Sequence, residues 1–539
     1  MGMYLNPGNS GFTRIRNDIY VDKSGLISLI NETIETPRFL TCVSRPRRFG
    51  KSFAAKMLCA YYDKTCNSSM LFDDLSIARD VKINGTYRQH LNQYNVICLD
   101  MTNVLGKAEP HDIVPFIQNS VTNELLDTYP DLKAGNVFDE TLLHAVELTG
   151  SKFIMIIDEW DAPIRETPEF QKAYLDFLRT LFKSSGTTDQ IFAAVYMTGI
   201  LPIRKDGSQS AISDFKEFTI LDPGKYTKFT GFTEAEVHRL CDTYNMSFHE
   251  AKNWYDGYFF DNRYSMYNPY SVICAMQSRK YRSYWKKTAA AEALLTYIDM
   301  DEEGLQDDII RLISGELIEV DTEGFENDFE TFKNKDDVLT LLIHLGYLTF
   351  KEEENGTGIA FIPNNEIRGE FSKILRRGRH TSLLRLIRKS DKLLSDTLKG
   401  DADTVAKTIA LVHDSNCAPQ FYNNEQALRS TVRCAYITCV DQYIKIEELP
   451  SGHGYADIVY IPRRRSPLPA LIIELKWNKT EKGAIAQIKE RNYPAVLEGF
   501  EGELVLVGIN YNEKTKRHTC SIEKISGEPT AKNAPPCEQ

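Results

Sequence analysis

The sequence has no apolar run that approaches the roughly 18 residues of a membrane-spanning helix. It begins MGMYLNPGNSG, which contains neither the basic nor the apolar region of a secretory signal. Its eleven cysteines are scattered without a CxxC pair, and several, such as Cys42 and Cys98, stand in apolar stretches. We therefore expect a cytoplasmic protein that has no membrane partner and keeps reduced thiols in its core.

The chain has fewer basic than acidic residues: 64 Lys and Arg against 75 Asp and Glu, for a net charge of -11. This balance argues against a protein that coats nucleic acid indiscriminately, although a local basic surface could still bind phosphates. The chain lacks long Gly, Ser or Pro tracts, and 42% of its residues are hydrophobic. It is expected to fold as an ordinary globular protein, and 539 residues are enough for two to four domains.

Four continuous apolar runs in the first 228 residues predict buried strands. Helix-like stretches such as PEFQKAYLDFLRTLFKSS separate them. Buried strands that alternate with helices are typical of an α/β fold with a largely parallel sheet. The runs are PRFLTCVS (37–44), NVICLDM (95–101), KFIMIIDEW (152–160) and IFAAVYMTG (191–199).

Changes of pattern along the chain predict five segments. Residues 1–228 form the α/β part, residues 229–375 a helical lid or winged-helix-like region, and residues 376–415 a helical connector. Residues 416–525 are predicted to form helix, strand, strand, helix and strand, a compact αββαβ module. Residues 526–539 are expected to be a disordered tail.

The stretch SRPRRFGKSFAAKM, residues 44–57, lies where the first apolar run is followed by a helix-like pattern. A nucleoside triphosphate site needs backbone N–H groups around the phosphates, a lysine on the β and γ phosphates and a hydroxyl on Mg²⁺. Gly50, Lys51 and Ser52 supply these groups, whereas Arg45 stands where such a P-loop ordinarily opens with glycine. Taken alone, the GKS motif also occurs by chance.

An acidic partner for this loop follows further along the chain. Asp158 ends the apolar run FIMII, where it could hold Mg²⁺, and Glu159 beside it is placed to polarise an attacking water. Thr198 ends the next run and could sense the γ-phosphate. The alternative is a buried strand that ends in a solvated acidic turn. The order of strand, GKS, helix, acidic strand and Thr-ending strand favours a site for ATP and Mg²⁺.

The motifs RPRRFGKS, IIDEWDAPI, TGILPI, FTGFTEAEV, WYDGY and YNPYSV resemble, in this order, the AAA-ATPase-like family of bacterial proteins. The resemblance covers nearly the whole chain and includes the opening DIYVDKSGLI. It implies a P-loop ATPase joined to a C-terminal nuclease-like domain. It also implies that Arg45 is the family's form of the loop, since the loop of that family opens with RPRRFGK.

Two questions about these motifs stay open. The guanidinium groups of Arg45, Arg47 and Arg48 either supplement the lysine at the triphosphate, or one of them packs structurally. The aromatic motifs WYDGY and YNPYSV are interpreted as the core of a helical lid rather than as contacts to a base.

A second set of charged residues lies in GYADIVYIPRRRSPLPALIIELKW, residues 454–477. Side chains two residues apart on a strand share a face, so Glu474 and Lys476 are expected to point together. A hairpin would place Asp457 beside them. Phosphodiester cleavage requires carboxylates that hold Mg²⁺ and often a lysine that orients or activates water.

This segment resembles the PD-(D/E)XK nuclease superfamily, to which the C-terminal domain of the AAA-ATPase-like family is usually assigned, so a restriction-endonuclease-like fold is implied. The resemblance also implies that Glu425 adds to the metal site and that Gln487 and Tyr493 form a glutamine-tyrosine element found in several branches. Taken alone, ELK is typical of a solvated edge strand. The basic run 463–465 is either solvated surface or a contact to DNA.

Together the two sites favour an ATP-binding or ATP-hydrolysing protein coupled to a Mg²⁺-dependent nuclease-like domain that acts on nucleic acid, DNA rather than RNA. The alternative is an ATP-operated switch whose nuclease-like domain docks nucleic acid or protein without cleavage. The sequence leaves open a homo-oligomer and an arginine supplied by a neighbouring subunit.

Overall fold

The computed structural model contains two compact units. One comprises Met1–Lys286 and Glu319–Glu366, and the other Lys287–Ile318 and Ile367–Gln539. The five segments expected from the sequence stay a prediction, and the tail 526–539 lies outside the described residues. The described residues are 2–79, 87–109, 112–167, 170–183, 186–203, 212, 214–260, 262–285, 304–323, 325, 334–353, 358–375, 381–416, 425–451, 454–462, 466–490 and 502–525.

The first unit is built on a parallel sheet of five described strands, β1 to β5. The sheet order is β2-β3-β4-β1-β5, and each neighbouring pair is parallel. Every residue of β1, β3 and β4 is buried, as expected for strands covered on both faces. The α/β class and the parallel sheet are thus confirmed. The strands are Leu40–Ser44 (β1), Asn95–Asp100 (β2), Phe153–Asp158 (β3), Phe192–Gly199 (β4) and Lys216–Phe218 (β5).

Helices cover the two faces of this sheet and enclose two apolar cores. Ile157 and Met197 belong to one core, whereas Ile156 and Tyr196 belong to the other, because successive side chains of a strand point to opposite faces. The helices described in this part are Ser10–Arg16, Gly25–Asn31, Lys51–Tyr62, Ser69–Phe72, Ser76–Arg79, Tyr87–His90, Met101–Leu105, Ile113–Thr128, Phe138–Thr149, Ala162–Glu166, Gln171–Lys183 and Thr188–Ile191, with a 3-10 helix at Gly224–Phe229.

After residue 229 the chain continues with helices and short strands. The expected helical middle is confirmed, and it also contains two small sheets, ordered β6-β8-β7 and β10-β11-β9. Their strands are too short to stand out in the sequence as apolar runs. Thr233, Ser247 and Asn268 each accept a backbone N–H from three residues on and so define helix starts. The strands are Phe232–Thr233 (β6), Tyr258–Phe260 (β7), Tyr264–Tyr267 (β8), Ile318–Val320 (β9), Thr349–Glu352 (β10) and Gly358–Phe361 (β11), and the helices are Glu234–Tyr244, Phe248–Tyr255, Pro269–Ser278 and Lys335–Leu345.

The aromatic motifs belong mainly to the core of this middle region. Tyr255, Tyr258 and Tyr267 are fully buried. Gly257 has a φ of +96°, and a Cβ at this position would lie 2.2 Å from the carbonyl oxygen of Pro363, so no side chain fits there. The interpretation of WYDGY and YNPYSV as core of the middle region agrees with this packing.

The second unit contains a mixed sheet of five described strands, ordered β12-β13-β14-β15-β16. β14 and β15 are parallel, and the other neighbouring pairs are antiparallel. The elements of the predicted αββαβ order are present, but the structure adds β12 between the first helix and β13, and β16 after β15. Charged and polar residues interrupt both added strands, so neither shows a continuous apolar run. The strands are Tyr443–Ser451 (β12), Gly454–Pro462 (β13), Ala470–Trp477 (β14), Leu504–Asn512 (β15) and Arg517–Ile525 (β16).

Helices complete the second unit. Ala484, Ile485 and Ile488 are buried on the helix that joins β14 to β15, as a parallel crossover requires. The described helices are Leu305–Ser314, Asn365–Leu375, Thr381–Lys399, Ala402–Asn416, Glu425–Ala435 and Glu481–Glu490, with a 3-10 helix at Ile437–Asp441. Within the described ranges no helix combines the length and apolar character needed to span a membrane.

The cysteines of the described ranges carry free thiols. Cys42, Cys59, Cys241, Cys434 and Cys439 are buried, which agrees with the expected reduced thiols in the core.

Candidate functional site

The loop between β1 and the helix Lys51–Tyr62 turns at Gly50. Gly50 has a φ of +88° and directly precedes the first helical residue. A Cβ there would meet no atom within 4 Å, so the backbone conformation rather than crowding favours glycine. The helix starts at the carboxyl edge of β1 with N–H groups that lack intrahelical acceptors, which is a site for an anion.

Lys51 is held inside this loop. It is 3% exposed, and its Nζ donates to the carbonyl oxygens of Arg45 at 3.0 Å and Pro46 at 3.1 Å. The same nitrogen lies 3.4 Å from Oε1 of Glu159. The lysine charge is therefore directed toward the centre of the loop, where the sequence analysis expects phosphate.

Asp158 ends β3 directly opposite Thr198 of β4. Burial raises the pKa of Asp158 to about 6, although a hydrogen bond with Ser52 and the charge of Lys51 act in the opposite direction. Oδ1 of Asp158 and Oγ1 of Thr198 are buried, and neither has a hydrogen-bond partner in the described part of the chain. The structure thus brings together Lys51, Ser52, Asp158 and Thr198.

The pair of Ser52 and Asp158 fits a Mg²⁺ ion. A buried carboxylate oxygen without a partner is costly unless a ligand satisfies it. Mg²⁺ commonly binds one or two protein oxygens and completes its shell with water and substrate phosphates. Across the described ranges no group of three His, Cys, Asp or Glu side chains could hold a metal alone, so this pair would depend on phosphate oxygens.

Glu159 follows β3 in a left-handed backbone conformation with a φ of +55°. Such a conformation costs a non-glycine residue of order 1 kcal/mol. Oε2 of Glu159 accepts a hydrogen bond from Nη2 of Arg165 at 2.9 Å. Burial alone would raise the pKa of Glu159, but the charges of Lys51, Arg165 and Arg47 outweigh burial and hold the pKa below its ordinary value. The acid predicted to polarise water is therefore ionised and fixed.

Arg165 connects Glu159 to the segment after β4. Its Nε donates to Oδ2 of Asp161 at 2.9 Å, and the same oxygen accepts the N–H groups of Ile200 at 3.2 Å and Leu201 at 3.0 Å. Arg165 is not among the residues predicted from the sequence. Its signal is the spacing of four residues from Asp161, which pairs opposite charges on one helical turn.

Arg45 packs structurally. Its Nε donates to Oγ1 of Thr230 at 2.9 Å, and its Nη1 donates to the carbonyl oxygens of Ser44 at 2.9 Å and Phe218 at 2.7 Å. The guanidinium also lies 5.1 Å from the ring centre of Phe260. Burial lowers the pKa of Arg45 to about 10, so it remains charged at neutral pH. These donors are directed into the protein, which favours the alternative that one of the three arginines packs structurally. A contact of Arg45 to the cofactor stays a prediction.

Arg47 and Arg48 stay near the loop surface. Nη1 of Arg48 donates to the carbonyl oxygen of Tyr284 at 2.7 Å, and its guanidinium lies 4.3 Å from the ring centre of Tyr270. Burial and the positive charge of Arg165 lower the pKa of Arg47. A contribution of either arginine to phosphate binding stays a prediction.

A cavity of about 480 Å³ opens beside the loop. Gly50, Lys51, Ser52 and Glu159 line one part of it. Its size lies in the range of small-molecule and cofactor sites, which combine apolar walls with a few polar groups. The apolar walls include Ile19, Tyr20, Val21, Phe232, Tyr270 and Ile273.

Asp457 and Glu474 come together in the second unit. β13 and β14 are antiparallel, and Ile458 lies opposite Ile473. Asp457 and Glu474 are the next residues of this register, so their carboxylates lie on neighbouring strands. Asp457 is 7% exposed and Glu474 is 2% exposed. The N–H of Leu475 donates to Oδ2 of Asp457 at 2.8 Å. The predicted hairpin, with Asp457 beside the Glu474 strand, is present.

Lys476 and Gln487 both bind Glu474. Nζ of Lys476 donates to Oε1 of Glu474 at 3.0 Å, and Nε2 of Gln487 donates to the same oxygen. Gln487 thus contacts the acidic strand, whereas Tyr493, its partner in the expected glutamine-tyrosine element, and the run 463–465 lie outside the described residues.

Glu425 is not joined to these carboxylates. It is exposed at the first residue of the helix Glu425–Ala435, and no metal-holding group of three acidic, His or Cys side chains forms among the described residues. Instead, Arg429, one turn further along the helix, contacts Oδ1 of Asp457. The expected third acidic ligand is corrected, because the helix brings a cation rather than Glu425 to Asp457.

Two family models match the chain. Residues 7–208 match the model described as predicted AAA-ATPase, and residues 423–520 match the PD-(D/E)XK nuclease superfamily. The chain joins an AAA-ATPase-like segment to a PD-(D/E)XK nuclease-like segment. The candidate residues lie inside these matched ranges, namely Arg45, Arg47, Arg48, Gly50, Lys51, Ser52, Asp158, Glu159 and Thr198 in the first and Glu425, Asp457, Glu474 and Lys476 in the second.

A curated relative is the uncharacterized protein in the vnfD 5' region of Azotobacter chroococcum mcd 1. It is 25% identical over 308 residues, which cover 54% of this chain and 55% of that protein. The chain therefore spans about half the length of this relative.

Solved structures of origin-recognition proteins show weak likeness. ORC2 of Aeropyrum pernix, in ADPNP and ADP complexes, is 11% identical with a TM-score of 0.27, covering 65% of this chain and 91% of that chain. ORC1 of Aeropyrum pernix in complex with DNA is 10% identical with a TM-score of 0.25, covering 71% of this chain and 100% of that chain. Scores this low support no inference about this protein.

Proposed function

We propose that the AAA-ATPase-like segment binds ATP with Mg²⁺ and hydrolyses it. The observation that carries this proposal is the buried Oδ1 of Asp158, which has no partner in the described part of the chain and belongs to a carboxylate that contacts Ser52. Ser52 in turn lines a cavity of nucleotide size together with Lys51. A lysine, a hydroxyl and a carboxylate in this arrangement are the groups that phosphoryl transfer requires.

We assign one role to each residue of this site. Lys51 would exchange the carbonyl oxygens of its own loop for β and γ phosphate oxygens. Ser52 and Asp158 would hold Mg²⁺, which would supply positive charge at the phosphates. Glu159, kept ionised by its cationic neighbours, accepts the proton of the attacking water. The hydroxyl of Thr198 would donate a hydrogen bond to a γ-phosphate oxygen, and the apolar walls of the cavity would contact the base.

The test compares nucleotide binding and phosphate release. Lys51→Ala is expected to weaken ATP binding, whereas Glu159→Gln is expected to bind ATP and lose about 100-fold or more in hydrolysis rate. Lys172→Ala removes an exposed lysine on another helix and serves as the matched control. Binding is measured with a fluorescent ATP analogue and hydrolysis by phosphate release. If Glu159→Gln hydrolyses ATP at the rate of the unmodified protein, the assignment is wrong.

We infer that the PD-(D/E)XK nuclease-like segment is a Mg²⁺-dependent phosphodiesterase for nucleic acid, with DNA preferred to RNA and ATP controlling its action. Asp457 and Glu474 would hold Mg²⁺, and Lys476 would orient the attacking water. Two buried carboxylates on adjoining strands with a lysine on one of them support this inference. They are also sufficient in number, since Mg²⁺ needs only one or two carboxylates beside phosphate.

The alternative is a docking module that binds nucleic acid or protein without cleavage. It is favoured by the contacts of Asp457, both of whose oxygens accept hydrogen bonds from the protein. The expected partner and a homo-oligomer stay predictions under either alternative.

Cleavage assays distinguish the two alternatives. Single-stranded and double-stranded DNA and RNA are incubated with Mg²⁺ or Mn²⁺, with and without ATP. Asp457→Asn and Glu474→Gln are expected to abolish cleavage, whereas the control Glu490→Gln, exposed on the following helix, retains it. ATP turnover without cleavage, together with nucleic-acid binding that survives Asp457→Asn, would instead establish the docking module.

A further inference from the structure

The helix Glu425–Ala435 directs an arginine at the nuclease-like centre. Nη2 of Arg429 contacts Oδ1 of Asp457, and the side chains of these residues are 14% and 9% exposed. Because little water reaches the pair, screening is weak and the attraction is stronger than at the protein surface. Arg429 thus neutralises one of the two carboxylates on which metal binding depends.

The remaining oxygen of Asp457 is also engaged. Oδ2 accepts a hydrogen bond at 2.8 Å from the N–H of Leu475, a residue of the neighbouring strand β14. This hydrogen bond fixes the carboxylate between β13 and β14. Oδ1 is therefore the oxygen whose partner is a side chain rather than backbone. Glu474 is similarly bound by Lys476 and Gln487. Each carboxylate of the centre is therefore matched by a cation of the protein.

We propose that Arg429 is a positioning residue that holds Oδ1 of Asp457 and has to leave it before a divalent cation binds there. The proposal rests on the metal-binding role inferred above for Asp457 and Glu474. A guanidinium binds phosphate oxygens through paired hydrogen bonds, so a phosphodiester group is the chemical class that competes with Asp457 for Arg429. Arrival of a nucleic-acid backbone and release of Asp457 are then linked events.

The test measures metal binding rather than cleavage. Mn²⁺ binding to the full chain is followed by electron paramagnetic resonance, which reports free Mn²⁺. Arg429→Gln retains a hydrogen-bond donor for Asp457 but removes the charge, and Arg429→Ala removes both. We expect both variants to bind Mn²⁺ about tenfold more tightly than the unmodified protein at this centre, because a competing cation is gone. Arg433→Ala removes the same charge one turn further along the helix, and no change is expected.

A further pair of variants assigns the signal to the centre. Asp457→Asn in the Arg429→Gln background is expected to abolish the gain in affinity. If Arg429→Gln leaves the Mn²⁺ affinity unchanged or weakens it, or if the gain survives Asp457→Asn or appears equally in Arg433→Ala, the proposal is overturned. Thermal melting confirms that each variant is folded, and Arg429→Gln provides the result should Arg429→Ala fail to fold. A tighter Mn²⁺ site without any cleavage would refute the proposed phosphodiesterase and leave the role of Arg429 intact.

Discussion

At the scale of single residues, the AAA-ATPase-like segment buries two charges in opposite ways. Arg45 donates to three protein oxygens, whereas Asp158 keeps one carboxylate oxygen without a protein partner in the described part of the chain. Removing one partner of a buried charge is costly, and a carboxylate that lacks a partner already carries this cost. Arg45 therefore stabilises the loop, whereas Oδ1 of Asp158 needs a ligand to satisfy it.

Asp158→Asn is expected to stabilise the ligand-free protein at neutral pH. The pKa of Asp158 is raised from 3.8 to about 6 in the folded state, so its ionised form destabilises the fold above that pH. Below about pH 4 the carboxyl is protonated in the folded and unfolded states, and the contribution vanishes. Thermal melting without nucleotide should therefore show a higher midpoint for the variant at neutral pH and no difference in acid.

The control for this prediction is Asp176→Asn, which removes a carboxylate that is 48% exposed. It should leave the melting temperature unchanged at both pH values. A lower melting temperature for Asp158→Asn at neutral pH would mean that the carboxylate is paired in the ligand-free protein. Adding ATP with Mg²⁺ should stabilise the unmodified protein more than Asp158→Asn.

Residues whose role depends on local sequence could be predicted, and those that depend on distant partners could not. Asp158 ends β3, and Lys51 begins the helix that follows β1. In both cases the apolar run of the strand makes the position recognisable in the sequence. The burial of Arg45 depends on Thr230, which is far away in the sequence. Arg429 was not predicted, because the resemblance to the nuclease superfamily implies an acidic residue, Glu425, on this helix, whereas the contact to Asp457 is made one turn later.

At the scale of elements, the strand order places the candidate groups of the nucleotide site side by side. β4 lies between β1 and β3, so Thr198 stands between the loop of Lys51 and the acidic end of β3. Because the strands are parallel, their carboxyl ends meet at one edge. The sequence predicts four of these strands and a largely parallel sheet, but not the short strand β5. It does not predict their order, which depends on which helices cover which face.

Gly50 and Gly257 distinguish the cost of a left-handed backbone conformation from the cost of steric crowding. Gly50→Ala places a Cβ in open space at a φ of +88° and is expected to lower the free energy of unfolding by about 1 kcal/mol. Gly257→Ala places a Cβ 2.2 Å from the carbonyl oxygen of Pro363 and should cost several times more. Urea denaturation of both variants measures the difference. An equal decrease in the free energy of unfolding for both variants would show that the backbone near Pro363 shifts at little energetic cost.

In the sheet of the second unit, apolar runs predict some strands but not others. β13, β14 and β15 contain apolar runs, and the sequence predicts them. β12 and β16 are interrupted by Glu, Lys and Arg because they are the edge strands of the sheet, where one side lacks a neighbouring strand. Alternating and charged strands of this kind resemble loops in a single sequence.

At the scale of the whole molecule, neither compact unit is a continuous piece of chain. Residues 287–318 belong to the second unit, although they precede residues 319–366 of the first. The helix Leu305–Ser314 buries Leu305, Ile309 and Leu312, and the carbonyl oxygen of Ser314 accepts a hydrogen bond from Lys445. The second unit thus includes a helix that lies outside the residues 416–525 expected from the sequence to form a module of their own.

A fragment of residues 367–525 is therefore expected to melt at a lower temperature than the same fragment mixed with a peptide of residues 304–318. The peptide restores the apolar contacts of Ile309 and Leu312 and the acceptor at Ser314. A peptide in which Ile309 and Leu312 are replaced by aspartate is the control and should have no effect. Identical melting curves with and without the unmodified peptide would show that the helix is dispensable.

The division of each unit into two stretches also affects how the protein is made. A ribosome releases residues 287–318 long before the strands of the second unit, and the first unit lacks residues 319–366 until that stretch has followed. At the usual speed of translation, residues 287–318 precede the strands of the second unit by on the order of tens of seconds. During that interval the nascent chain exposes apolar surface, so its synthesis should depend on chaperones that bind unfinished proteins.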